Sequence, residues 1–351
     1  MNVADLFGAA SNGDCDKIRS LLEEGMDVDA KDEDDHGCTA LHHAAKAGHC
    51  PAIELLLDRG AKIDAINTKG MTALHYAAMN CHCAAIALLL DQGADVEIWD
   101  HDCRTALHFA ASSDERMSSP QPLYKFVFGC ADYSHHLQVS PEKHRCDAIS
   151  LLLDGGADMD FKDRYDYTPL HYDAYEGDND AIRLLLNRGT EFHEQNIYGQ
   201  TVLHITAFHG HNDTVKLWLD RGVDIAAMDN MCRTALAVAA RHGHHETVKL
   251  LCSRDGNLAA KGTHDSCTPL LDAARNGYCK VIDVSLTLAV TLGENCSGNT
   301  ALHAAIPHGG LKTVTHLLGL GVEVNARNKD GKDGGWTALD HALHWEDFTI
   351  A

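Results

Sequence analysis

The chain has 351 residues, and 51 Asp plus Glu against 29 Lys plus Arg leave it a formal charge of -22. An excess of that size repels phosphate backbones and anionic headgroups, which excludes nucleic acid and a membrane surface as partners. No apolar run reaches membrane-spanning length and the first residues lack the basic and apolar regions of a signal peptide, so an intracellular protein, cytoplasmic or nuclear, is expected.

From the start, Leu6, Ala9, Ala10, Gly13, Ile18 and Gly25 set out a pattern that returns along the chain, with Ala4 in a place taken afterwards by threonine. That threonine stands at Thr39, Thr72, Thr105, Thr168, Thr201, Thr234, Thr268, Thr300 and Thr337, mostly 33 residues apart. The copy at 37–65 reads GCTALHHAAKAGHCPAIELLLDRGAKIDA. Thr39 is placed as an N-cap, Ala44 and Ala45 keep a first short helix thin, and Gly48 stops it. Ile53, Leu55, Leu56 and Leu57 then give a second helix its apolar surface, and Gly60 is placed as its left-handed C-cap.

A 33-residue period opening on Thr-Ala-Leu-His, or Thr168-Pro169-Leu170-His171, resembles the ankyrin repeat over essentially the whole chain. The resemblance implies an all-α solenoid of stacked helix-turn-helix units with β-turn or hairpin fingers, since one unit cannot bury both its faces alone. The expected domain is a single array over 1–351 with ten units, of which 1–33 is an N-terminal capping repeat.

The fourth unit departs from the period, with 63 residues between Thr105 and Thr168. Cys15, Cys50, Cys83 and Cys279 each lie 11 residues after their unit's origin, and Cys146 lies 41 after Thr105. An insertion of 30 residues, at 113–143, therefore separates that unit's first helix from its second. Pro120, Pro122 and Pro141 exclude a long helix within it. Its apolar centre, Leu123 to Phe128, either packs on the solenoid or forms a lid over a ligand face. Farther on, the unit that opens at Thr268 lacks the Leu-Leu-Leu run at Val284 to Val290. The last, 337–351, is incomplete: the chain is a fragment, or Trp345 and Phe348 fold back as a cap.

Thirteen cysteines bring neither disulfides nor zinc into this reading. Equivalent places on stacked helices lie roughly 8–10 Å apart, beyond disulfide reach. The run Cys81-His82-Cys83 is read as scaffold, no metal and no cofactor being expected. Of 25 histidines, His42, His75, His108, His171, His204 and His303 belong to the opening motif, where the resemblance implies a structural hydrogen bond. His49, His82, His211 and His244 belong to the break between helices.

Binding is expected where the repeat varies, and the resemblance places that surface on turn tips and first-helix ends lining a concave groove. The central units put Arg164, Tyr165, Tyr167, Tyr172, Tyr175, Tyr198, Phe208, His209, Met231, Arg233, Arg241 and His242 there. These types are enriched at interface cores, so the groove is read as a protein or peptide site, against the plainer reading that the tyrosines fill gaps between units. Asp173 stands where Ala44, Ala77, Ala110 and Ala239 stand elsewhere, and a carboxylate there must find donors or shift its pKa. Arg164, His209, Arg241 and His242 are its candidate partners. A second function follows from it, in which Asp173 with His209 and His242 forms a catalytic or small-molecule pocket for a small hydrophobic ligand under the insertion. No G-x-S-x-G, Walker loop, H-E-x-x-H or dinucleotide fingerprint accompanies it, so a non-catalytic binding scaffold is favoured.

Overall fold

The computed structural model describes residues 3–112, 142–254, 268–287, 294–308, 310–329 and 335–344. Among these residues every regular element is a helix, and the chain folds as two compact units, Met1–Glu191 and Phe192–Ala351.

In the first unit the helices pair as the period predicts. They are α1 (Ala4–Asn12), α2 (Cys15–Glu23), α3 (Ala40–Ala47), α4 (Cys50–Asp58), α5 (Ala73–Met79) and α6 (Cys83–Asp91). Then come α7 (Ala106–Ala111), α8 (Glu142–Asp154), α9 (Pro169–Glu176) and α10 (Asn179–Arg188). Odd-numbered helices stack on odd and even on even. Helix α8 packs on α6, α7 and α10, so it is the second helix of the fourth repeat, as the cysteine register requires. The insertion expected at 113–143 lies outside the described residues up to 141, and α8 takes in its last two positions.

The second unit holds α11 (Val202–His209), α12 (Asn212–Asp220), α13 (Ala235–Arg241), α14 (His245–Arg254) and α15 (Pro269–Asn276). It continues with α16 (Cys279–Thr287), α17 (Ala301–His308), α18 (Gly310–Gly319) and α19 (Ala338–His344). Its first helices α11, α13, α15, α17 and α19 stack in order. Trp345 and Phe348, the expected cap, lie outside the described residues.

The Thr-Ala-Leu-His motif recurs because one histidine serves two repeats. The backbone N–H of Thr72 donates to Nδ1 of His75 at 3.1 Å, which fixes the ring proton on Nε2. That Nε2 donates to the Arg104 carbonyl of the next finger at 3.1 Å. His42 reaches the Met71 carbonyl at 2.9 Å and His108 that of Tyr167 at 3.2 Å in the same way, and His204 and His303 repeat the device in the second unit. Burial holds His42, His75 and His108 neutral, each drawn down to about 4. Above each motif the slim helices meet on Ala44, Ala77 and Ala110, all fully buried.

A second device explains the Gly-His break. Gly48 has φ +74°, and a Cβ there would come within 2.8 Å of the His82 ring. Glycine thus lets the next repeat's imidazole lie against the helix end and donate from Nε2 to the Lys46 carbonyl at 3.1 Å. His49 on Ser11 and His244 on Phe208 do the same.

The expected fingers are tight turns rather than strands, with isolated bridges at Asp32–Cys38 and Trp99–Thr105. Their order comes from an Asp or Asn five residues before the threonine. Asp100 Oδ1 accepts from the N–H groups of Asp102 and Arg104 at 2.9 and 2.8 Å, closing the loop on itself. Asn67, Asp163, Asn196 and Asp229 act identically. Adjacent tips within each unit join through single backbone bonds, such as Arg164 N–H to the Asp102 carbonyl at 2.9 Å.

Candidate functional site

The acidic finger residue has a second oxygen to satisfy, and this decides the fate of several expected surface residues. In the third finger Asp100 Oδ2 accepts from Nε and Nη2 of Arg104 at 3.0 and 2.6 Å, both side chains being buried. In the next, Asp163 Oδ2 accepts from the Tyr172 hydroxyl at 2.7 Å. Burial nevertheless raises Asp163 to about 6, against the Tyr172 bond and the backbone N–H groups of Tyr167 and Tyr165 that pull it down. Tyr172 and Tyr167 are 4 % and 1 % exposed, so both belong to the packing between repeats and offer a partner no surface. Arg164 and Tyr165 do reach solvent at the finger tip. Arg164 is tied to Asp102 at 2.6 Å and lies 5.7 Å from the Tyr165 ring centroid. Tyr175, at the end of α9, is half-buried.

Asp173 is fully buried, and neither carboxyl oxygen has a hydrogen-bond partner among the described residues. Desolvation raises its pKa well above the usual carboxylate range, Arg145 opposes this, and Asp178 and Glu176 add to it. The cation that bears on Asp173 thus comes from α8, and of the four expected partners Arg164 is engaged by Asp102 instead. Arg145 occupies the place that His49, His82 and His211 take in their repeats, so a register comparison could have singled it out. It is buried, and its Nη1 stands 3.7 Å from Asp178 Oδ2, while Asp178 Oδ1 caps α10 through the N–H groups of Asp180 and Ala181.

The remaining expected residues lie in the second unit, where Phe208, His209 and His242 come together. Phe208, at the end of α11, has its ring centroid 4.0 Å from that of His242 and 5.0 Å from that of His209, and His209 stacks on His211 at 5.4 Å. All four rings are half-buried. Burial, then His211, His244 and His242, draw His209 down to about 3; burial, then His244, Arg241 and Arg233, draw His242 down to about 4. These two imidazoles are therefore uncharged at neutral pH. Arg233 is held by Asp229 at 2.8 and 2.7 Å, and Arg241 stands 3.9 Å from buried Asp272. Tyr198 and Met231, on neighbouring finger tips, are half-exposed beside it in sequence register.

Such an arrangement suits contact better than chemistry. A general acid or base works best with a pKa near the operating pH. Asp173 is held protonated out of solvent, and the two imidazoles titrate far below neutrality. What the second unit presents is a soft aromatic surface bordered by a partly exposed guanidinium.

Sequence reasoning missed the most exposed large apolar side chain on the fingers among the described residues. Trp99 is 55 % exposed and stacks on Phe161 at 5.8 Å. Its neighbour in register, Ile66, is 47 % exposed. The signal was available, since both stand six residues before their threonine, where a polar turn residue is more readily solvated.

The comparisons agree with the geometry. The family model for ankyrin repeats in three copies matches residues 6–100, 64–118, 136–229 and 207–289, and the model for a single ankyrin repeat matches 297–329. No curated protein matches the chain. None of the described helices is long and apolar enough to cross a membrane. Ankyrin repeats generally serve as protein-interaction modules and usually bind protein partners. With the matched repeats spanning most of the chain and the Thr-Ala-Leu-His histidines joining successive repeats within each unit, the protein belongs to the ankyrin repeat family.

Proposed function

We propose that this protein is a binding module that grips a protein or peptide through its finger tips and first-helix ends, without covalent chemistry. The observation that carries the reading is the half-exposed cluster of Phe208, His209 and His242 with Arg241 at its edge. Aromatic rings and arginine yield much contact area for little lost rotamer freedom, which makes them the usual anchors of an interface. Tyr198, Met231 and Arg233 extend this surface in the second unit. In the first unit exposed Arg164 and Trp99 and half-buried Tyr165 and Tyr175 are the candidates. Tyr167, Tyr172 and Asp173 drop out because they are buried.

The charge of -22 narrows the partner to one that is not itself strongly acidic. A quantitative pull-down from a native lysate tests the proposal, comparing the wild type with a folded Tyr175→Ala, Phe208→Ala, Arg241→Ala variant. A protein enriched by the wild type and lost with the variant supports the reading. Identical captures with both remove these residues from the interface.

A further inference from the structure

We propose that Cys83, His144 and Asp147 form a divalent transition-metal site of zinc type that clamps α8 to α6. One donor atom from each, a thiol sulfur, an imidazole nitrogen and a carboxylate oxygen, can be chosen so that all lie within 4.8 Å of one another. Ligands of a tetrahedral zinc stand roughly 3.5 Å apart, given bonds of about 2.0–2.3 Å, so rotation of exposed side chains closes the set. His144 and Asp147 are three residues apart on α8 and project from one face of it. Cys83 opens α6, and its sulfur already lies 3.4 Å from the His144 carbonyl oxygen, bridging 61 residues of sequence.

The repeat register shows that this donor set is peculiar to one junction. Cys15 occupies the same place as Cys83 in the first repeat, where the residues corresponding to His144 and Asp147 are Gly48 and Pro51. His144 stands where Gly48, Gly177, Gly210 and Gly243 stand in their repeats, so a conformational glycine has been exchanged for a ligand type. His82 is not part of the set, because its Nε2 is committed to the Lys46 carbonyl.

Two of the three donors, Cys83 and His144, also line an open cleft of about 450 Å³ together with Asn80, Cys81 and His82. A mixed S, N, O set is suited to a borderline cation such as zinc rather than to magnesium or calcium, which take oxygen ligands. Three protein ligands leave a fourth position facing the cleft for water or an incoming donor. Binding releases the Cys83 thiol proton to solvent and leaves the metal's oxidation state unchanged.

Cobalt(II) titration of the metal-free full chain, followed by its thiolate-to-metal charge-transfer band, tests the site, with zinc added as competitor. The expected result is one equivalent with a single-thiolate band, displaced by zinc. Cys83→Ser abolishes the band, His144→Gln and Asp147→Asn weaken binding at least about tenfold, and Cys15→Ser changes nothing. His144 and Asp147 are exposed, so their replacement leaves the fold intact, which circular dichroism checks. Absence of a thiolate band overturns the proposal. So does a band whose affinity is the same in the His144→Gln and Asp147→Asn variants, which would assign the metal to other thiols among the thirteen.

Discussion

Nη1 of Arg145 lies 3.7 Å from Oδ2 of Asp178, with 4 % and 10 % of the two side chains exposed, and the same guanidinium is the cation that bears on buried Asp173. One buried positive charge thus faces two carboxyl groups. Asp178 also caps α10 and holds the ion pair, which leaves Asp173 as the group that stays protonated.

Replacing Asp173 by alanine, the residue of its place in most other repeats, is expected to stabilise the protein at pH 7. The gain should be about 1–3 kcal/mol, the penalty of an unsatisfied buried polar group. Because the native carboxyl has a raised pKa, the unfolded chain loses its proton first as pH rises above about 4. The native state is therefore penalised increasingly with pH, and the advantage of Asp173→Ala should shrink on acidification towards pH 4. Urea denaturation of both proteins at pH 7 and pH 4.5 measures this. A variant less stable than wild type at pH 7 would show that Asp173 supports the fold.

The finger turns predict a paired glycine effect. The residue two before the threonine has a left-handed backbone: Gly70 at φ 81°, Cys103 at 60° and Cys232 at 53°. A side chain in that region costs roughly 1–2 kcal/mol, so Cys103→Gly and Cys232→Gly should each raise stability, by somewhat less once the freer unfolded chain is counted. Gly70→Ala should lower it, because a Cβ there meets the His101 backbone nitrogen at 3.0 Å. Thermal melts of the three variants decide the matter, and a destabilised Cys103→Gly would contradict it.

The bridging histidines predict acid sensitivity. His42, His75 and His108 are drawn down to about 4 by burial, whereas the same rings in the unfolded chain protonate near 6.5. Between those values the unfolded state binds protons that the native state does not, so stability falls as pH falls from 6.5 towards 4. Each ring contributes a slope of roughly 1.4 kcal/mol per pH unit within that window. A urea midpoint that stays level from pH 7 to pH 4.5 would show that these imidazoles are not held neutral. His75→Gln should lower stability at pH 7 and flatten the slope.

The repeat pattern made the helices legible because their causes are local. Thr caps, thin alanine helices and glycine stops sit at fixed offsets, and Cys146 alone located the second helix of the interrupted repeat. The candidate site was less legible because surface and interior look alike at one turn of helix. Tyr172 and Tyr175 are both tyrosines of α9, one turn apart, but it is the first that donates to the second oxygen of Asp163. Reading Tyr172 as exposed missed that a finger aspartate has two oxygens to satisfy. The cation that bears on Asp173 was missed for a different reason: Arg145 lies beyond the insertion, and its significance emerges only when it is aligned with the histidines of other repeats.

The most direct test of a contact surface on α11 and α13 is the affinity of the captured partner for two single variants, measured by titration calorimetry. Phe208→Ala removes the centre of the half-exposed cluster and should weaken binding at least tenfold, about 1.4 kcal/mol. Tyr172→Phe removes a buried hydroxyl and should lower stability while leaving affinity at the wild-type value. Unchanged affinity for Phe208→Ala, with that variant folded, would contradict the account.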